Sequence, residues 1–169
     1  IAELSDSLFT QEIIAAGNAT SRLYKGVKSL IDIGGEDAKL VLFSDEKRPD
    51  IRMNGNCAGG TGAYIDQMAT LLNVDVNELD ALAYQAKKIY PIASRCGVFA
   101  KTDVQNLVSR KIDLSDIAAS IFHAVASQTI NSLARGCEVE PILLFCGGPL
   151  TYIPYLRKAF LDLLQLTDK

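Results

Sequence analysis

The spacing of apolar residues changes from a period of two to a helical one near Cys57, and that change limits the folds open to this chain. Before Cys57 the apolar positions form short segments separated by turn residues: Ser29–Ile33, residues 38–43, and a third segment through Ile51 and Met53. Gly34-Gly35 divides the first two and residues 45–48 read as a hairpin turn, so an antiparallel meander of three strands is expected. After Cys57 the period becomes helical, with Ile65, Met68, Ala69 and Leu72 on one face. Further helices are expected over residues 76–88, closed by Tyr90-Pro91, and over residues 101–110. A long helix should follow, with Asp113 or Ser115 as N-cap and Gly136 as stop. Residues 141–145 read as a buried strand and residues 152–166 as a last helix. A shorter helical pattern around residues 8–16 precedes the meander and breaks at Gly17-Asn18. The order βββ, helical block, β, α gives an α/β layer architecture. The helices between Thr61 and Arg135 outnumber what one sheet needs, so part of them is expected as an inserted subdomain.

Composition narrows the class. The chain has 169 residues, 49% of them hydrophobic, enough for one domain with its own core and no disulfide staples. A net charge of −3 with no basic stripe gives no footprint for nucleic acid. No apolar run reaches the roughly 20 residues that span a bilayer. The first residues, IAELSDSLF, do not form a secretory signal. The default setting is therefore the reducing cytoplasm, with free thiols. Beginning at Ile1 rather than Met, the chain reads as a piece of something larger.

Three glycine-rich segments can carry chemistry. In IDIGGEDAK, residues 31–39, Asp32 ends a strand and Gly34-Gly35 follow. Glycines let backbone N–H groups approach a phosphate, and the carboxylate can position a water or a metal-bound water. A plain hairpin with glycines in its turn is the equal alternative. In NGNCAGGTGAY, residues 54–64, small residues including Gly60 and Thr61 run into a helix start, a natural anion site. The segment is neither a P-loop nor a dinucleotide fingerprint. Cys57 heads it, and Cys96 in SRCGVFAKTD, residues 94–103, repeats the pattern of Cys, small residue and helix start. A thiolate at a helix N-terminus is stabilised and ready to ligate metal, although a single such cysteine is more often a buried thiol. Two could supply half of a four-thiolate cluster, with a two-fold partner supplying the rest. The third segment, Gly147-Gly148 after a strand, has the form of a platform for a nucleoside or of a bare βα turn. Cys137 and Cys146 read as core thiols, and the single histidine, His123, as structural.

Taken in order, IDIGGEDAK, NGNCAGGTGAYIDQMA, SRCGVFAKTDV and FCGGP resemble the ATP-dependent activators (archerases) of 2-hydroxyacyl-CoA dehydratases, also called the benzoyl-CoA reductase ATPase-subunit family. The longer wording resembles the activator-like domain of large dehydratase-activator proteins. The resemblance covers residues 29–166 and implies a ribonuclease H-like lobe of the actin and sugar-kinase ATPase fold, with a helical insertion at residues 57–112 and a connecting segment over residues 1–28. It implies Asp32 near metal and water, Gly34, Gly35, Glu36 and Asp37 at the phosphates, and Gly60 and Thr61 beside them. It places Gly147 and Gly148 at the adenosine. Cys57 and Cys96 resemble the ligands each subunit gives to a 4Fe-4S cluster bridging a homodimer. ATP hydrolysis with Mg would then drive a low-potential electron to the dehydratase partner in an anaerobic, cytoplasmic setting. No first phosphate hairpin precedes Ser29, the family's last strand and Ala- and Gly-rich helix are missing after residue 166, and Glu36 stands where the family often has Gln. The full-length protein is thus expected to be an ATPase-type activator and this chain alone inactive. The alternatives are a small-molecule kinase of the same superfamily, which would lack the cysteine motifs, and a degenerate lobe used for assembly.

Overall fold

The computed structural model describes residues 10–44, 48–54, 58–93 and 97–167. Cys57, Cys96 and most of the turn expected at residues 45–48 lie outside them. One sheet runs in the order β3-β2-β1-β4, from β1 (Ser29–Ile33), β2 (Ala38–Leu42), β3 (Asp50–Asn54) and β4 (Leu143–Cys146). The first three strands pair antiparallel, as the meander requires, and β4 lies parallel to β1.

Strand β1 is buried along its whole length because both faces of the sheet are covered. On one face, Leu30 and Val41 pack against Ile13 of α1 (Glu12–Leu23). On the other, Ile31, Ile33 and Leu40 join the main core, which is built on α5 (Leu114–Leu133). Alternate residues of a strand point to opposite faces, so Asp32 and Lys39 fall on the α1 side. The register pairs them across the hairpin.

The helical block comprises a short 3-10 turn (Ala58–Gly60), α2 (Gly62–Leu72), α3 (Val76–Ala83), α4 (Gly97–Ser109) and α5. The last part of the chain folds as α6 (Gly148–Tyr152) and α7 (Pro154–Leu164). Helix α5 packs against both α3 and α7.

Several boundaries differ from the sequence expectation for identifiable reasons. Helix α1 runs through Gly17-Asn18, because Gly17 lies on the buried stripe with Ile13 and Thr20. Helix α3 stops well before residue 88. There the backbone N–H groups of Lys87 and Lys88 donate to Asp116 Oδ1 at 2.7 and 3.1 Å, so they leave the helical ladder. Helix α4 begins at Gly97 instead of residue 101, and Asp103, inside the helix, accepts from Ala93 N at 2.8 Å. Strand β4 is half-buried where a buried strand is expected. The expected last helix is two helices, since Pro154 has no N–H to donate and starts α7. Cys137 is exposed and not a core thiol. Arg52 of β3 donates to its Sγ at 3.0 Å and to the Leu133 and Ala134 carbonyls, which ties the end of α5 to the sheet edge.

Candidate functional site

The three glycine segments meet at the end of β1. The turn after β1 closes with Gly34 N donating to Asp37 O at 2.9 Å. Helix α2 docks its first turn directly on this loop: Gly62 N donates to Gly34 O at 3.0 Å and Ala63 N to Gly35 O at 2.8 Å. A Cβ at Gly62 would stand 3.0 Å from Pro149 Cγ and 3.3 Å from Gly34 O, so this glycine permits the second segment to touch both others. The third segment arrives through β4, whose Cys146 pairs with Asp32 in the parallel register. Gly147 follows at φ +89°, and a Cβ there would fall on the Ile33 carbonyl oxygen and 2.6 Å from Asp32 Oδ1. Only a residue without a side chain fits at that point.

Asp32 is thus a carboxylate at the bottom of a cradle made of backbone, 6% exposed. Burial raises its pKa, opposed by the charge of Lys39 and assisted by Glu12 and Asp37. Lys39 is itself buried. Its ammonium lies 2.9 Å from Asp37 Oδ2, 3.3 Å from Glu12 Oε2 and 3.8 Å from Asp32 Oδ2. Burial alone would lower the lysine pKa, but the hydrogen bonds to Asp37 and Glu12 and the surrounding negative charge raise it, so it stays a cation. Burial also raises the pKa of Cys146, and the negative charge of Asp32 adds to this, which favours a neutral thiol beside the site.

Of the sequence candidates, Asp32, Gly34, Gly35, Asp37 and Gly147 come together here. Glu36, at the tip of the turn, and Gly148, at the start of α6, are exposed. Thr61 is fully buried immediately before α2, and Gly60 packs against Thr129 of α5. Cys57 and Cys96 lie outside the described residues. Among the described residues no cluster of three or more His, Cys, Asp or Glu side chains is arranged to hold a metal ion. The helices that follow the two cysteines, α2 and α4, begin near each other: a Cβ added at Gly97 would stand 3.8 Å from the Tyr64 ring. His123 is half-buried 3.9 Å from Asp162 and remote from the cradle residues in its contacts. Lys39 is the residue the sequence reading did not single out. The signal was available: a four-residue turn at residues 34–37 places residue 39 opposite residue 32.

The profile of the BadF/BadG/BcrA/BcrD ATPase family matches residues 2–165. The chain belongs to that family. A relative in sequence is the (R)-2-hydroxyglutaryl-CoA dehydratase activating ATPase of Acidaminococcus fermentans, 33% identical over 141 residues, which are 83% of this chain and 54% of the relative. Among solved structures, component A of the Acidaminococcus fermentans (R)-2-hydroxyglutaryl-CoA dehydratase superposes with a TM-score of 0.79 at 32% identity, over 88% of this chain and 57% of that one. The activator of 2-hydroxyisocaproyl-CoA dehydratase from Clostridium difficile, solved with bound ADPNP, superposes with a TM-score of 0.78 at 28% identity, over 88% and 55%. The fold is therefore that of the actin-like ATPases, as the resemblance implies. The chain spans about half the length of these relatives. No described helix is long and apolar enough to cross a membrane.

Proposed function

We propose that this chain is one lobe of an ATP-dependent activator, which uses ATP hydrolysis to drive a low-potential electron from a 4Fe-4S cluster into a 2-hydroxyacyl-CoA dehydratase. The observation that carries the nucleotide half is the convergence of three glycine turns on Asp32. Glycine turns beside a buried carboxylate suit a polyphosphate and its Mg ion, since their backbone N–H groups can approach phosphates closely. In this reading Asp32 orients the attacking water. The turn of Gly34, Gly35, Glu36 and Asp37, with the Gly60-Thr61 approach to α2, lies along the phosphates. Gly147 and Gly148 leave room for the adenosine. Mg, when bound, supplies neutralisation of the charge that builds on the transferred phosphoryl group. The ADPNP-bound relative supports the same reading.

Cys57 and Cys96 would supply two of the four thiolates of the cluster, a second subunit the other two. Each precedes a helical start in sequence, where the N-terminal dipole favours the cluster's negative charge. The cluster, when bound, supplies the electron. The homodimer, the cytoplasmic setting and the division into a connecting segment over residues 1–28 and a lobe over residues 29–169, with its insertion at 57–112, belong to the same proposal. The test is Mg-ATP-dependent reduction of a 2-hydroxyacyl-CoA dehydratase, with iron and sulfide reconstituted anaerobically. Asp32→Asn is expected to abolish hydrolysis and leave the cluster, while Cys57→Ala or Cys96→Ala abolishes the cluster. Retention of the full cluster in both cysteine variants, or of hydrolysis in Asp32→Asn, overturns the corresponding half.

A further inference from the structure

The cradle contains a buried cation that no step above uses. Lys39 is 3% exposed on a strand whose neighbours Ala38, Leu40 and Val41 are all core residues. A lysine is almost never buried unless paired, and an apolar residue at such a position would ordinarily serve stability as well or better. Its three carboxylates differ in what they need. The Glu12 side chain is 77% exposed and that of Asp37 35% exposed, so water can solvate both. The Asp32 side chain is 9% exposed and has no such recourse. The two oxygens of Asp32 also face different ways. Oδ2 is turned to the Lys39 ammonium at 3.8 Å, beyond hydrogen-bond distance but close in Coulomb terms. Oδ1 is turned to Gly147, whose lack of a side chain lets the end of β4 pack this closely on β1.

We propose that Lys39 is a positioning residue, which holds the Asp32 carboxylate by its Oδ2 side and so fixes its orientation among the glycine turns of the nucleotide site. Asp37 and Glu12 carry the hydrogen bonds of the ammonium and fix it from the turn and from α1, so that Asp32 is oriented without its acceptor capacity being used. This inference rests on the nucleotide reading of the site.

Two measurements test it. The first needs no nucleotide: a double-mutant cycle in chemical denaturation over Lys39→Met, Asp32→Asn and the double variant. Lys39→Met alone should lower the folding constant by about tenfold or more, as expected for stranding a buried charge, and adding Asp32→Asn should recover most of it. The second is Mg-ATP hydrolysis and ADP binding by calorimetry in the full-length protein. Lys39→Met should lower kcat by about 10²-fold, the scale of a misplaced reacting group, with nucleotide Kd changed by less than about threefold. Lys39→Arg should restore much of kcat. Absence of rescue by Asp32→Asn in the cycle shows that Lys39 serves the other carboxylates and overturns the proposal. So does a Lys39→Met variant that keeps its kcat, or loses kcat and nucleotide affinity in parallel. No hydrolysis by the wild-type protein overturns the nucleotide reading itself, and this inference with it.

Discussion

Gly147→Ala is the sharpest probe of the cradle. At φ +89° any residue with a Cβ is strained, by about 1–2 kcal/mol. The added methyl would also fall on the Ile33 carbonyl oxygen and 2.6 Å from Asp32 Oδ1, both on β1. Relief requires the end of β4 to move away from β1, at the cost of about 1–3 kcal/mol typical of overpacking. Together these give a loss of about 2–5 kcal/mol, visible as a shifted urea midpoint with unchanged slope. Gly148→Ala is the matched control. A methyl added at Gly148 would meet no atom within 4 Å, and the residue sits in the first turn of α6, so its substitution should change stability by less than about 0.5 kcal/mol. Because the methyl at residue 147 abuts Asp32 Oδ1, nucleotide affinity should fall in Gly147→Ala. If the two variants are equally stable, the backbone at Gly147 is not packed as closely on Ile33 and Asp32 as the structure shows.

Three further outcomes follow from burial and charge. Tyr64 is 1% exposed and its hydroxyl has no hydrogen-bond partner among the described residues, so Tyr64→Phe removes a stranded polar group and should stabilise by about 1 kcal/mol; a comparable loss in denaturation would contradict this. Gly17 lies inside α1 with nothing within 4 Å of a Cβ, so Gly17→Ala should stabilise by about 0.5–1 kcal/mol, and a loss would show hidden crowding. His123 has its pKa lowered by burial, with the charge of Asp162 opposing and that of Lys158 reinforcing the shift. Its stabilising contribution is therefore complete above the unfolded value of about 6.5 and declines as pH falls below it, because the unfolded chain takes up the proton first. His123→Gln should flatten the pH dependence of the urea midpoint between about pH 7 and 5; an unchanged curve refutes the assignment.

What the sequence made legible was local. A Gly-Gly pair between two apolar segments dictates a turn, and the alternation along residues 29–42 dictates which residues share a face. Both follow from backbone geometry within a few residues. The same arithmetic contained Lys39, since a hairpin register is fixed once its turn length is known. The misplaced boundaries have a different origin. Beyond the end of α3 at Ala83, Asp116, 28 and 29 residues further on, takes the N–H groups of Lys88 and Lys87, and Ala93 is held by Asp103. Gly17 continues a helix because Ile13 and Thr20 beside it are buried. Cys137 is exposed where Arg52 reaches across from β3. For Asp116 and Arg52 a distant side chain satisfies backbone groups, and no window of local pattern contains the partner. The candidate site combines the two kinds of information. Its glycines are locally legible because they must be small for steric reasons at their own positions. Their shared purpose is not, because it exists only where β4 brings Gly147 alongside Asp32, more than a hundred residues after the turn that Asp32 precedes.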